Sequence, residues 1–156
     1  MVLPKVAILN ATAQIGGAEI SLIELLRRSK ENFEFHLILP EDGPLRKKAE
    51  EGGVRVWKIP WDEKIMQLGE MNKKINLFKI LQTTALIYPL ARKVSRLLHD
   101  IKAQILITNG IKSHIIGAIS HKGNPIPWMW YLQDGLEGRR ISTKALGFYL
   151  VVSPAK

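Results

Sequence analysis

The sequence predicts an α/β fold, a three-layer Rossmann-like domain on a mainly parallel sheet. Three observations carry this. Short apolar runs alternate along the chain with stretches of helical period. The first run, Val6-Ala7-Ile8-Leu9, is apolar without alternation, as suits a strand buried on both faces. A glycine pair, Gly16-Gly17, then opens an amphipathic helix. Strands alternating with helices imply βαβ units, with helices on both faces of the sheet.

The elements follow in order. After the first strand, the loop Asn10-Ala11-Thr12-Ala13-Gln14 leads to the glycines, and Ala18, Leu22, Leu25, Leu26 and Ser29 share one helical face. Phe35 to Pro40 reads as a second strand, and Glu41-Asp42-Gly43-Pro44 as a turn. A short helix over Leu45 to Glu51 is stopped by Gly52-Gly53. Val54 to Ile59 alternates apolar and basic residues, which places it near a sheet edge. Trp61 to Lys74 is irregular. Ile75 to His99 is helical in period, with Ile80, Ile87, Leu90, Val94, Leu97 and Ile101 on one stripe and Arg92 and Arg96 opposite it. Pro89 is expected to break or kink this helix. Gln104 to Thr108 is a fourth strand ending at Asn109-Gly110, Ser113 to Lys122 a helix, and Pro127 to Leu132 an aromatic-rich fifth strand ending at Gln133-Asp134-Gly135. A short polar helix and a last strand, Gly147 to Val152, complete the pattern.

The 156 residues suffice for one domain with a sizeable core. There is no cysteine, which excludes disulfides and thiolate metal sites and is compatible with a reducing compartment. The first residues lack a cleavage pattern of the secretory type. The longest uncharged stretch, Ile80 to Ala91, is too short for a spanning helix, which needs about 20 apolar residues. The net charge is +9, and the span from Lys73 to Lys102 is strongly basic, with Asp100 its sole acid. An anionic partner would fit: a membrane surface, a phosphorylated substrate or nucleic acid. A solvated, solubilising face would fit as well. The basic residues are not interleaved with aromatics on a recognisable module, so no specific nucleic-acid partner is expected.

In doubly wound sheets, ligands sit beyond the carboxyl ends of the strands. The candidates are therefore Asn10 to Gly17, Glu41 to Gly43, Asn109-Gly110 and Gln133-Asp134-Gly135. Gly16 and Gly17 lie where a helix start aims free N–H groups at one point, a geometry that favours phosphate. A plain tight turn is the other reading. The pair matches neither G-x-G-x-x-G nor G-x-x-x-x-G-K-[ST], which disfavours a nicotinamide enzyme or an ATPase. Glu19 complements the helix dipole. The four histidines form no ligand set by spacing; His114 and His121 share a helix without a third ligand nearby. Asp134 is the best-placed carboxylate, or else a turn residue before Gly135. Trp57, Trp61, Ile65, Met66, Leu68 and Met71, followed by Lys73 and Lys74, read either as an acceptor groove or membrane-facing flap, or as a loop folded onto the core.

The segments KVAILNATAQIGGAEISLIELLRRS, HLILPEDGPLRKKAEEGGVRV, ILITNGIKSHIIGAI, NPIPWMWYLQDG and FYLVVSPAK together resemble the amino-terminal domain of family 4, GT-B-fold glycosyltransferases. The likeness covers nearly the whole chain. Gly16, Gly17 and Glu19 match the family's G-G-x-E turn, which faces the interdomain cleft. Where the family tends to carry His-Asp or His-Glu after the fifth strand, this chain has Gln133-Asp134. The resemblance implies that residues 1–156 are the acceptor-side half, with the carboxy-terminal donor-binding domain and its paired glutamates outside this chain or on a second subunit. It implies a retaining, hexosyl-transferring enzyme that needs no metal or cofactor and takes a nucleotide-sugar donor and a sugar or lipid-linked acceptor. This half alone would bind donor poorly and turn over little.

By the same resemblance, the Gly16 and Gly17 amides would stabilise the leaving diphosphate. Thr12, Asn109, Gly110, Gln133 and Asp134 would line the substrate pocket. Lys73, Lys74, Arg92, Lys93 and Arg96 would face an anion or a membrane, making a cytoplasmic protein peripheral at the inner face of the membrane. The alternative reading is a non-catalytic subunit that recruits a separate catalytic chain to a membrane or acceptor.

Overall fold

A computed structural model describes residues 2–66 and 77–131, with side chains in 77–84 excluded. Five strands alternate with helices: β1 (Lys5–Asn10), α1 (Gly17–Ser29), β2 (Glu34–Leu39), α2 (Pro44–Glu51), β3 (Arg55–Lys58), α3 (Glu63–Met66), α4 (Leu77–Asp100), β4 (Ile105–Asn109), α5 (Ile111–Lys122) and β5 (Trp128–Tyr131). The strand order is β3-β2-β1-β4-β5, and every pairing is parallel. The expected three-layer architecture is present. The polar helix and last strand read after residue 132 lie outside the described residues.

The continuous apolar runs work as the sheet requires. Val6 and Ile8 of β1 pack with Leu22 and Leu26 of α1 and Leu45 and Ala49 of α2. Ala7 and Leu9 face the other way, against α4 and α5. With Ala7, Ile8 and Leu9 each 0% exposed, β1 is the central strand that its lack of alternation implies. β3 sits at a sheet edge, as its basic alternation suggests.

The expected break at Pro89 does not occur, for α4 continues through it. Both Pro89 and Ala85, whose carbonyl loses its helical partner, are exposed, so water can satisfy the freed oxygen. The opposite face buries Ile87, Leu90, Ala91, Val94 and Leu98. At about 1.5–3 kcal/mol per large apolar side chain, that burial outweighs the roughly 3 kcal/mol cost of an internal proline. The stripe is also shifted: Leu98 is fully buried, whereas Leu97 only packs against the core margin.

The turn from α4 into β4 places Lys102 at φ 56°, in the left-handed region. Ala103 N–H closes it by donating to the Leu98 carbonyl at 2.9 Å. Two glycines allow close backbone approach. A Cβ at Gly43 would lie 2.7 Å from the Ala13 carbonyl oxygen, and one at Gly117 2.6 Å from Thr108 Cγ2. The first docks α2 beneath the β1–α1 loop, where Leu45 N–H donates to Ala13 O at 2.9 Å. The second lets α5 lie directly on β4.

Candidate functional site

The chain reverses its winding between β1 and β4, so their carboxyl ends flank the crevice where doubly wound sheets bind ligands. Asn10 and Asn109 are register partners there. Both are almost fully buried, and Asn109 Nδ2 donates to Asn10 Oδ1 at 2.5 Å. Asn10 Nδ2 in turn donates to the Thr12 carbonyl at 2.7 Å and reaches Glu19 Oε1 at 3.4 Å. Buried amides need such partners, since leaving one unmet costs about 1–3 kcal/mol. Thr12 itself shapes the loop, its hydroxyl accepting from Gln14 N–H at 3.0 Å.

Glu19 is the residue whose position the sequence reading understated. It is 9% exposed, and its Oε2 accepts the Gly16 N–H at 3.1 Å. The side chain at the third helical position thus reaches back to the residue before the helix, half of a capping box. The expectation that both glycine amides stand free needs correction: Gly16 N–H is taken by Glu19. Gly17 is exposed, and nothing lies within 4 Å of where its Cβ would be. The first intrahelical bond is Ile20 N–H to Gly16 O at 3.0 Å, so the amides of Gly17 and Ala18 have no acceptor within the helix. An anion at this end would share it with the Glu19 carboxylate.

The start of α5 is electrostatically different. Gly110 precedes it at φ 86°, and the first turn carries no acid. Lys112 in that turn donates to the Met66 carbonyl. Ser113, also in the first turn, is 0% exposed, and its hydroxyl has no hydrogen-bond partner among the described residues. Of the two helix ends at the crevice, this one has no carboxylate in its own first turn to oppose an incoming anion. One turn on, His114 Nδ1 lies 2.7 Å from Thr108 Oγ1, which also accepts the Trp128 indole N–H at 3.0 Å. The imidazole stacks on Trp130 with ring centroids 4.9 Å apart, and burial lowers its pKa to about 4. It is therefore neutral near pH 7 and paired through Nδ1 with the Thr108 hydroxyl. His114 serves the core here.

The other expected site residues separate into two groups. Arg92, Lys93 and Arg96 are exposed on α4, with Arg92 and Arg96 off the buried stripe as the period predicts. Gln133, Asp134, Lys73 and Lys74 lie outside the described residues. Of the two readings of the Trp57–Met71 segment, the loop folded onto the core holds for Trp61 and Ile65, 8% and 2% exposed within the core, whereas Trp57 is 36% exposed. Among the described residues, no helix is long and apolar enough to cross a membrane. Asn10 lies within the candidate segment Asn10 to Gly17, and the reach of Glu19 could have been read from its place three residues after Gly16.

Fold and crevice define an α/β Rossmann-like domain, with GT-B glycosyltransferases among its structural neighbours. The chain is similar to Anabaena HepE, solved in complex with UDP and glucose, with TM-score 0.65 and 22% identity, over 93% of this chain and 34% of that one. It is similar to MurG of Acinetobacter baumannii, with TM-score 0.61 and 13% identity, over 90% of this chain and 39% of that one. A glycosyltransferase from Rickettsia africae matches with TM-score 0.57 and 14% identity, over 82% of this chain and 29% of that one. The chain thus spans roughly a third of the length of these neighbours, and identities this low show the fold alone. No protein-family model matches the chain, and neither does any curated protein.

Proposed function

We propose that this chain is the amino-terminal, acceptor-side domain of a retaining family 4 glycosyltransferase, which transfers a hexosyl group from a nucleotide-sugar to an acceptor hydroxyl. The donor-binding half would lie elsewhere in a longer polypeptide or on a second subunit. The observation that carries the reading is the crevice between β1 and β4. Two helix starts converge there, behind strand ends tied by the Asn109–Asn10 bond. The likeness to HepE, which holds UDP and glucose, supports it.

In this reading the Gly17 amide end of α1 and the Gly110 end of α5 stabilise charge developing on the departing diphosphate or resting on the acceptor. The Glu19 carboxylate fixes the loop and takes Gly16 out of that role. Thr12 and Asn109 border the acceptor hydroxyl, and Gln133 and Asp134, outside the described residues, would do so by the family resemblance. A basic face of α4 at Arg92, with Lys73 and Lys74 before it, would hold the protein to an anionic surface. That supports a peripheral attachment.

The test uses the complete enzyme with labelled UDP-glucose, reading nucleoside diphosphate release and, by NMR, the anomeric configuration of the product. Gly17→Val is expected to lose transfer while its melting temperature stays unchanged, because open space surrounds that position. Unchanged turnover would remove α1 from the reaction. An inverted product would overturn the retaining mechanism.

A further inference from the structure

A second concave surface lies at the β3 edge, apart from the crevice. It is a groove of about 310 Å³ between the end of β3 and α4. Ile59, Pro60 and Leu97 give it an apolar floor, and Trp57 lines one side. Trp57 is 36% exposed. It is also fixed in place. Its Nε1–H donates to Nδ1 of the buried His36 at 3.0 Å, and the two rings stack at 16°. His36 Nε2 is held in turn by Glu34 Oε1 at 3.1 Å. The acceptor role of Nδ1 sets the tautomer and leaves the Nε2 proton for Glu34.

Across the groove stand Lys93 and Arg96, one helical turn apart on α4, with Asp100 a turn further. Neither cation has an ion-pair partner among the described residues, whereas Lys58 on the rim is engaged by Asp42 at 2.5 Å. An immobilised indole across from two cations that are unpaired among the described residues, with a carboxylate at one end, has the makings of a site for a ring with an anionic group. The indole meets the apolar ring face. The cations take the anion through charge-assisted hydrogen bonds, and Asp100 accepts from hydroxyls. The volume lies at the small end of ligand pockets, about 300–1,000 Å³.

We infer that this groove binds a sugar-sized ring bearing a phosphate or carboxylate, stacked on Trp57 and held by Lys93 and Arg96. The saccharide scaffold rests on the transferase reading and the anion does not. The test therefore reads binding rather than transfer, so that either can fail alone.

The intact protein is labelled with 5-fluorotryptophan, and the Trp57 resonance is identified by its loss in Trp57→Phe. Titration with glucose 1-phosphate or glucuronate is expected to move that resonance saturably, the tighter of the two naming the anion. Inorganic phosphate and glucose should each bind more weakly. The double variant Lys93→Gln/Arg96→Gln, on exposed positions that leave the fold intact, is expected to weaken binding by at least about tenfold. Gly17→Val should leave it unchanged. The inference is overturned if neither sugar anion moves the resonance, or if the double variant responds equally. It also fails if inorganic phosphate binds as tightly as glucose 1-phosphate, or if the resonance responds only to phosphatidylglycerol vesicles.

Discussion

Asn109 and Asn10, 99 positions apart in sequence, are joined side chain to side chain at 2.5 Å. That bond ties the carboxyl ends of β4 and β1 at the point where the winding reverses. Through Asn10 it continues to Glu19 and from there to the Gly16 amide. The two loops bordering the crevice are thus set relative to each other by one buried polar chain rather than by separate turns.

Asn10→Asp tests that chain. It replaces a donor facing Glu19 Oε1 and the Thr12 carbonyl by an acceptor, so like groups confront each other in a buried place. A loss of about 2–4 kcal/mol is expected, read from the urea midpoint. Asn109→Ala, which leaves Asn10 Oδ1 unmet, should cost about 1–3 kcal/mol. Stability within about 0.5 kcal/mol of the parent for both would show that the chain carries no weight.

Gly117→Ala and Gly17→Ala should differ sharply, although both sit in helices. The first forces a Cβ against Thr108 Cγ2 and within 3.1 Å of Trp128 Nε1; overpacking of this kind costs about 1–3 kcal/mol. The second meets nothing within 4 Å, and alanine's higher helix propensity favours it by up to about 1 kcal/mol. Thermal unfolding of the pair checks the contrast, and equal shifts would contradict the close α5–β4 packing.

Acid should weaken the fold through two buried imidazoles. Burial lowers the pKa of His114 to about 4 and also lowers that of His36, against the opposing pull of Glu34. The unfolded chain, with histidine near 6.5, therefore takes up protons first as pH falls. The stability is fully present above about pH 6.5 and is lost progressively towards pH 4. For His114 the whole effect is on the order of 3 kcal/mol. Asp42, bonded to Lys58 and Arg46, and Glu24, bonded to Arg27 and Arg28, are both held below the usual carboxylate range and titrate lower. Urea midpoints across this window should slope upward with pH, and His114→Gln should flatten the slope; an unchanged slope would remove His114 as its source.

Lys102→Gly should stabilise the protein. Lysine at φ 56° bears a left-handed penalty of about 1–2 kcal/mol that glycine escapes. Glycine's larger unfolded entropy offsets part of it, so a rise of up to about 1 kcal/mol is expected by denaturation. A loss would mean that the lysine side chain contributes contacts of its own.

Local pattern was enough for the architecture. Val6 to Leu9 announced a central strand because burial on both faces leaves no room for alternation, and Arg55 and Lys58 among apolar neighbours announced an edge. It misled at Pro89, where the local penalty is real but burial on the sheet, a non-local term, is larger. It was silent on the bonds Asn109–Asn10, Glu19–Gly16 and Trp57–His36, because each partner is chosen by how strands and helices stack.

Residue types and their periods therefore settled the layers, the parallel sheet and the end of it that holds the crevice, since these follow from which side chains must leave water. Tertiary packing alone decided which polar groups meet there. It gave the Gly16 amide to Glu19 and buried His114 as a neutral ring. It also left Lys93 and Arg96 facing a fixed indole, because hydrogen bonds and ion pairs act over a few ångströms that only the folded chain brings together.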